Sequence, residues 1–127
     1  MNKEKFTLEF EMKSSPKMLY PYLSTASGLE AWFADKVTLY NGDFVFHWGE
    51  TQQRARVMGS KDNEMVRFHW VTDGKQDTTY FQFDIMQDDI TGDVALVVTD
   101  FTTPEEKEED VLLWNSEVHE LMHIIGS

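Results

Sequence analysis

Polar and apolar residues alternate one by one from Lys5 to Met12. Phe6, Leu8, Phe10 and Met12 fall on one face, and Thr7, Glu9 and Glu11 on the other. A period of two predicts a strand with one face buried. The pattern then breaks. In "SSPKMLYPYLS", Ser15 is placed to cap a helix with Pro16 at its first position, and Pro21 shortens or kinks it. In "SGLEAWFAD", Ser27 and Glu30 have the spacing of a capping box for a second short helix, which delivers Trp32 and Phe33 together.

Strand-like runs follow, each closed by a turn signal. "KVTLY" breaks at Asn41-Gly42, a hairpin dipeptide, and "DFVFHW" ends at Gly49. "TQQRARVMG" ends near Gly59 and "EMVRFHWVT" at Asp73-Gly74. "TTYFQFDIM" runs to "QDDITGD", and "VALVVTDF" to "TTPEE". Consecutive strands joined by tight turns form a meander, so the sheet is expected to be antiparallel.

The last segment changes period. Thr103 is the expected cap, Pro104 the first helical residue and Glu106 the partner in a capping box. Glu105, Glu106, Glu108, Glu109 and Asp110 place negative charge at the positive end of the helix dipole. At about 100° per residue, Val111, Trp114, Val118, Leu121, Met122 and Ile125 share one apolar arc.

The order of elements predicts an α+β domain over residues 1–127: a curved antiparallel sheet of about six to seven strands wrapped around a long C-terminal helix, with two short helices after the first strand. It resembles the helix-grip fold of the START-like (SRPBCC, Bet v-like) superfamily. The opening "SSPKMLYPYLSTASGLEAWFAD" is similar to that of the Aha-type chaperone ATPase activator homologues. Pro16, Leu19, Tyr20, Leu23, Leu29, Trp32, Phe33 and Asp35 carry that match, and "VALVVTDF" before an acidic helix bearing Trp114 matches the group's closing pattern. The small acidic START-like proteins of Bacteroidetes-type bacteria are closer still. These motifs imply a fold, and none of them implies a reaction.

Composition narrows the partners. The chain carries 11 Lys and Arg against 23 Asp and Glu, a formal net charge of -12. That charge argues against nucleic acid and anionic membrane surfaces. No run approaches the apolar length of a membrane span, so no membrane insertion is expected. With no cysteine, disulfides and thiolate chemistry are excluded, and the cytoplasm is the expected compartment.

One motif suggests catalysis. "HELMH", His119 to His123, has the HExxH form in which two histidines grip Zn²⁺ and the glutamate acts as base. Such a site needs a third ligand, and His47 and His69 lie on predicted strands. The helical register also turns His119 and His123 roughly 110–150° from the centre of the apolar arc, with Glu120 nearly opposite that centre. The motif is therefore read as a surface coincidence, and no metal or cofactor is expected. Asp88, Asp89 and Asp93 are read as a solvated turn rather than a Ca²⁺ loop. Asp84 is assigned to the outer face with Tyr80 and Gln82. Asp100 either caps its strand or faces a cavity mouth. Arg54, Arg56 and Arg67 either anchor an anionic headgroup or pair with acids on the outer face.

The aromatic residues are the positive signal. Phe46 with Trp48, Phe68 with Trp70, and Phe81 with Phe83 each share one side of a strand, while Trp32, Phe33 and Trp114 arrive from helices. Either they fill the interior, or they line a pocket. The pocket reading makes Trp32, Phe33, Trp48, Phe68, Trp70, Phe81, Phe83, Trp114 and Val118 the ligand-binding candidates. The function expected is non-enzymatic binding of a small hydrophobic or amphipathic ligand, or of a protein partner. The alternatives are a chaperone-associated module, implied by the Aha-type resemblance, and a cavity-based hydrolase or cyclase, for which no catalytic residue stands out.

Overall fold

A computed structural model describes residues 2–126; Met1 and Ser127, the ends of the predicted domain, lie outside the described residues. The chain runs β1 (Glu4–Met12), α1 (Pro16–Ser24), α2 (Ala26–Glu30), β2 (Lys36–Tyr40), β3 (Asp43–Trp48), β4 (Thr51–Lys61), β5 (Met65–Thr72), β6 (Lys75–Gln87), β7 (Val94–Thr102) and α3 (Lys107–Ile125). The strands form one seven-stranded sheet in the order β1-β7-β6-β5-β4-β3-β2. Every pair is antiparallel. Six strands follow one another as a meander, and the returning β1 pairs with β7, so the two short helices are inserted between edge strands β1 and β2. Among the described residues no helix is long and apolar enough to cross a membrane.

The turns form for the reasons the dipeptides suggest. Asn41 and Gly42 both take positive φ, as do Asp73 and Gly74, which matches the right-handed twist of the flanking strands. Gly59 behaves differently from its expected role. It lies inside β4 at a bulge, where the register with β5 slips between Val57 and Gly59, and the strand continues to Lys61. A glycine within a strand accommodates such a bulge.

Two helix starts differ from the sequence expectation. Ser15 does cap α1, accepting from the Met18 N–H at 3.2 Å. In α2, however, the cap is Thr25, which accepts from the Gly28 N–H at 3.0 Å, rather than Ser27. Glu30 instead reaches forward and accepts from the Val37 N–H at 2.9 Å, tying α2 to β2. The third helix begins at Lys107, three residues later than the Pro-based expectation. Thr103 and Glu106 still meet side chain to side chain at 2.9 Å, but they close a turn ahead of the helix. Gly28 is required by close approach: a Cβ there would lie 2.1 Å from the Pro21 carbonyl oxygen and 2.6 Å from Tyr22 Cα. The two short helices therefore touch backbone to backbone.

The core lies between the concave sheet face and α3. The arc predicted for α3 is the one that packs: Trp114, Val118 and Leu121 are buried, and Val111, Met122 and Ile125 lean against them. Phe46, Phe68, Phe81 and Phe83 are fully buried on the sheet. Their rings interlock, Phe68 stacking on Phe81 at 4.8 Å between centroids and Phe33 on Phe81 at 5.1 Å. Trp114 stacks on Phe33 at 5.6 Å and stands edge-on to Phe83 at 5.9 Å. Phe33, rather than Trp32, is thus its partner from the short-helix region.

Trp114 also donates from Nε1 to Asp100 Oδ2 at 2.8 Å. Truncation Trp114→Ala removes a buried ring and takes away the donor of Asp100 Oδ2. It is expected to cost roughly 3–5 kcal/mol in equilibrium unfolding; a cost below about 1 kcal/mol would mean the ring does not hold α3 to the sheet.

Candidate functional site

Two concavities stand out among the described residues. The larger, about 820 Å³, runs along strand ends and hairpins and includes Lys3, Tyr40, His47, Arg54, Trp70 and Asp77. Several of its polar groups already have partners. Thr38 Oγ1 meets His47 Nε2 at 3.2 Å, Arg54 Nε donates to Asp43 at 2.7 Å, and the Thr72 hydroxyl donates to Asp77 at 2.9 Å. Satisfied groups of this kind give a ligand little to replace.

The smaller concavity, about 390 Å³, lies where the segment after α2 meets α3. Its wall and floor include Ala31, Trp32, Phe33 and Trp48, with Leu113 and Glu117 contributed by α3. The local backbone explains how these rings are held. The Phe33 N–H donates to the Leu29 carbonyl at 2.8 Å, which carries the chain past the end of α2. Trp32 Nε1 donates to the Tyr22 carbonyl at 2.8 Å, and Trp48 Nε1 to the Phe33 carbonyl at 2.8 Å. Asp35 is anchored twice, its N–H donating to the His47 carbonyl at 3.0 Å and its Oδ2 accepting from the Gly49 N–H at 2.8 Å. Both indole donors are therefore occupied by main chain, and the rings present apolar surface.

Of the candidates read from sequence, Trp32, Phe33 and Trp48 come together at this recess. Phe68, Phe81, Phe83 and Val118 are fully buried, Trp114 packs on Phe33, and Trp70 lines the larger groove.

Charge in the recess is one-sided. Its lining contains Glu30, Asp35, Glu117 and Glu120 and no Lys, Arg or His. Glu30 and Asp35 each accept a backbone N–H, as described. Glu117 does not: its Oε2 is the one buried side-chain polar atom among the described residues with no hydrogen-bond partner. Burial pushes the Glu117 carboxyl up to about 8, and the Asp100 carboxylate adds to the rise. Asp100 itself is raised by burial, against the opposing hydrogen bonds from Trp114 and the Phe101 N–H. It faces α3, bonds the Trp114 indole and the Phe101 N–H, and lines neither concavity. Glu117 was missed there, although it is three residues after Trp114 and four before Leu121. That spacing places it on the packed side of the helix.

The remaining charged candidates face elsewhere. Asp43 holds both Arg54 and Arg56, at 2.7 and 2.8 Å, and the hydrogen bond from Arg56 leads in lowering its carboxyl below the usual range. Arg67 donates to Gln82 at 2.6 Å and lies over the Tyr80 ring at 4.2 Å. Gln82 donates in turn to Asp84 at 2.8 Å, on the outer face. The Asp88 carboxylate accepts from Ile90 and Thr91 within its own turn. His119, Glu120 and His123 are all exposed, and among the described residues no group of three or more His, Asp or Glu is arranged to hold a metal ion.

A curved antiparallel sheet gripping a C-terminal helix, with two short helices closing one end, defines the class. The START-like superfamily domain matches residues 1–127, and the chain belongs to that superfamily. A Bacteroides fragilis protein solved in solution by NMR is 35% identical, with a TM-score of 0.67 over 98% of this chain and 92% of that one. The Aha1 dimer from Colwellia psychrerythraea superposes with a TM-score of 0.76 at 15% identity, over 93% of this chain and 92% of that one. A Mesorhizobium loti protein gives 0.75 at 13% identity, over 97% of both chains. The last two likenesses are of fold alone. No curated protein matches the chain.

The buried carboxyl makes stability depend on pH. The unfolded chain gives up the Glu117 proton near the ordinary 4.5, the folded chain near 8. Between those values the native state holds the extra proton, so stability falls as pH rises through the window and levels off above it. Glu117→Gln removes this slope. The variant is expected to match its parent at about pH 4 and to exceed it above about pH 8 by an amount on the order of a few kcal/mol. Denaturant unfolding of both proteins across that range is the measurement, and parallel pH profiles would contradict it.

Proposed function

We propose that this chain is a non-enzymatic binding domain that takes a small amphipathic molecule in the recess between the α2–β2 segment and α3. Domains of the START-like superfamily typically bind hydrophobic ligands or protein partners. The observation that carries the reading is the recess itself. An apolar floor of Trp32, Phe33 and Trp48 lies beside the Glu117 carboxyl, whose Oε2 no protein group satisfies. A volume of about 390 Å³ is at the small end of ligand sites, which suits a compact molecule rather than a long acyl chain. The interlocked rings behind it, such as Phe68 on Phe81 at 4.8 Å, leave the ligand at the rim of the core rather than inside it.

A protein partner is the second reading, favoured by one observation. Leu113 and Ile124, 57% and 39% exposed, are eleven residues apart and so nearly aligned along α3. A partner's apolar side chain would enter the same recess. The resemblance to the Aha-type activators implies a chaperone as the partner, and the Aha1 dimer at 15% identity shares the fold.

Ala31 is exposed at the recess wall, so Ala31→Phe narrows the site without entering the core. Binding of an apolar fluorescent probe, followed by titration, is expected to weaken about tenfold or more while the melting temperature stays within a few degrees. Unchanged probe affinity in the variant would move the binding site elsewhere and overturn the reading.

A further inference from the structure

We propose that the recess selects organic cations, a quaternary or protonated amine carrying an aromatic or aliphatic group, with the nitrogen beside Glu117 and the apolar part on Trp32, Phe33 and Trp48. The inference rests on the recess being the ligand site, and it goes further by assigning the chemistry of the ligand.

Charge decides the sign. Glu30 comes from α2, Asp35 from the following segment, and Glu117 and Glu120 from α3, with no basic side chain among the lining residues. Behind Glu117 stands Asp100 of β7, which Asp110 pushes in the same direction and Lys3 opposes. An anion entering this field meets like charge in a partly dry site, where repulsion is screened least. A neutral molecule gains only the apolar floor. A cation gains that floor, cation–π attraction to the half-buried Trp48 ring, and a carboxylate with an oxygen that no protein group satisfies.

The rise of the Glu117 carboxyl to about 8 adds a signature. The empty recess holds a proton on Glu117 at neutral pH, and an incoming cation displaces it. Affinity for a cation therefore rises with pH up to that value and then levels off. A neutral ligand has no such dependence.

The test uses three aromatic probes of similar size: benzyltrimethylammonium, benzyl alcohol and phenylacetate. The first is charged at every pH, so only the protein titrates. Calorimetric titration from about pH 6 to about pH 9 is expected to show benzyltrimethylammonium binding about tenfold tighter than benzyl alcohol near pH 8, with phenylacetate weakest. The cation's affinity should climb with pH while that of the alcohol stays flat. Glu117→Gln is expected to abolish the climb and most of the preference. Glu120→Lys, at an exposed rim position, should weaken the cation alone. Equal binding of cation and alcohol, or a preference that survives Glu117→Gln, would overturn this inference while leaving the recess as a site for neutral ligands. Failure of all three probes to bind would overturn both the inference and the recess reading beneath it.

Discussion

The phenyl ring of Phe33 is the contact on which the rest of the molecule converges. It lies within ring-contact distance of Phe46, Trp48, Phe81 and Phe83 on the sheet, and of Trp114 on α3, while remaining edge-on to its neighbour Trp32. One residue in the segment after α2 thus joins the sheet to the helix. Its position depends on α2 being pressed against α1, and that depends on the absence of a side chain at Gly28. Edge-on and offset-stacked rings at these separations bring both dispersion and favourable quadrupole contacts. A core built this way is close-packed, so the recess lies at its margin, where Trp48 is half-buried.

Charge is divided between the two sides of the sheet in a way that follows from the same packing. On the outer face the arginines are matched locally, Arg54 and Arg56 to Asp43, and Arg67 to Gln82 and the Tyr80 ring. The formal charge of -12 is therefore not offset where β7 meets α3. There Asp100, Asp110 and Glu117 gather with only Trp114, Thr102 and the Phe101 N–H as donors. Trp114 is consequently both the ring that closes the core and the group that satisfies one of these acids.

Much of the fold was legible because its determinants are local in the chain. Alternation in "KFTLEFEM" marks β1, the Asn41-Gly42 and Asp73-Gly74 dipeptides mark hairpins, and the arc from Val111 to Ile125 is the face of α3 that packs. The misreadings are local competitions with more than one physical outcome. Gly59 reads as a strand end, yet a glycine serves equally well at a bulge. Thr103-Pro104 reads as a helix start, yet the same pair closes a turn ahead of one. The recess was less legible, since Ala31 and Leu113 approach only through the folded sheet. Glu117 was overlooked for a different reason. A wheel that follows apolar positions passes over a charged residue among them, although the interval from Trp114 to Leu121 encloses it.

That charged residue is also where the fold gives up stability. A leucine or methionine at position 117 would extend the apolar arc and avoid the desolvation that raises the carboxyl to about 8. Nothing in the scaffold needs the acid: it caps no helix, bridges no strand, and one of its oxygens is left without a partner. Asp100, by contrast, has a structural reason to be buried, since it holds both the Trp114 indole and the Phe101 N–H. Of two neighbouring buried acids, one is part of the framework and the other is available. An acid with a displaced titration and an unpartnered oxygen, at the edge of an aromatic-floored recess, is what the proposed binding role would use and the scaffold does not.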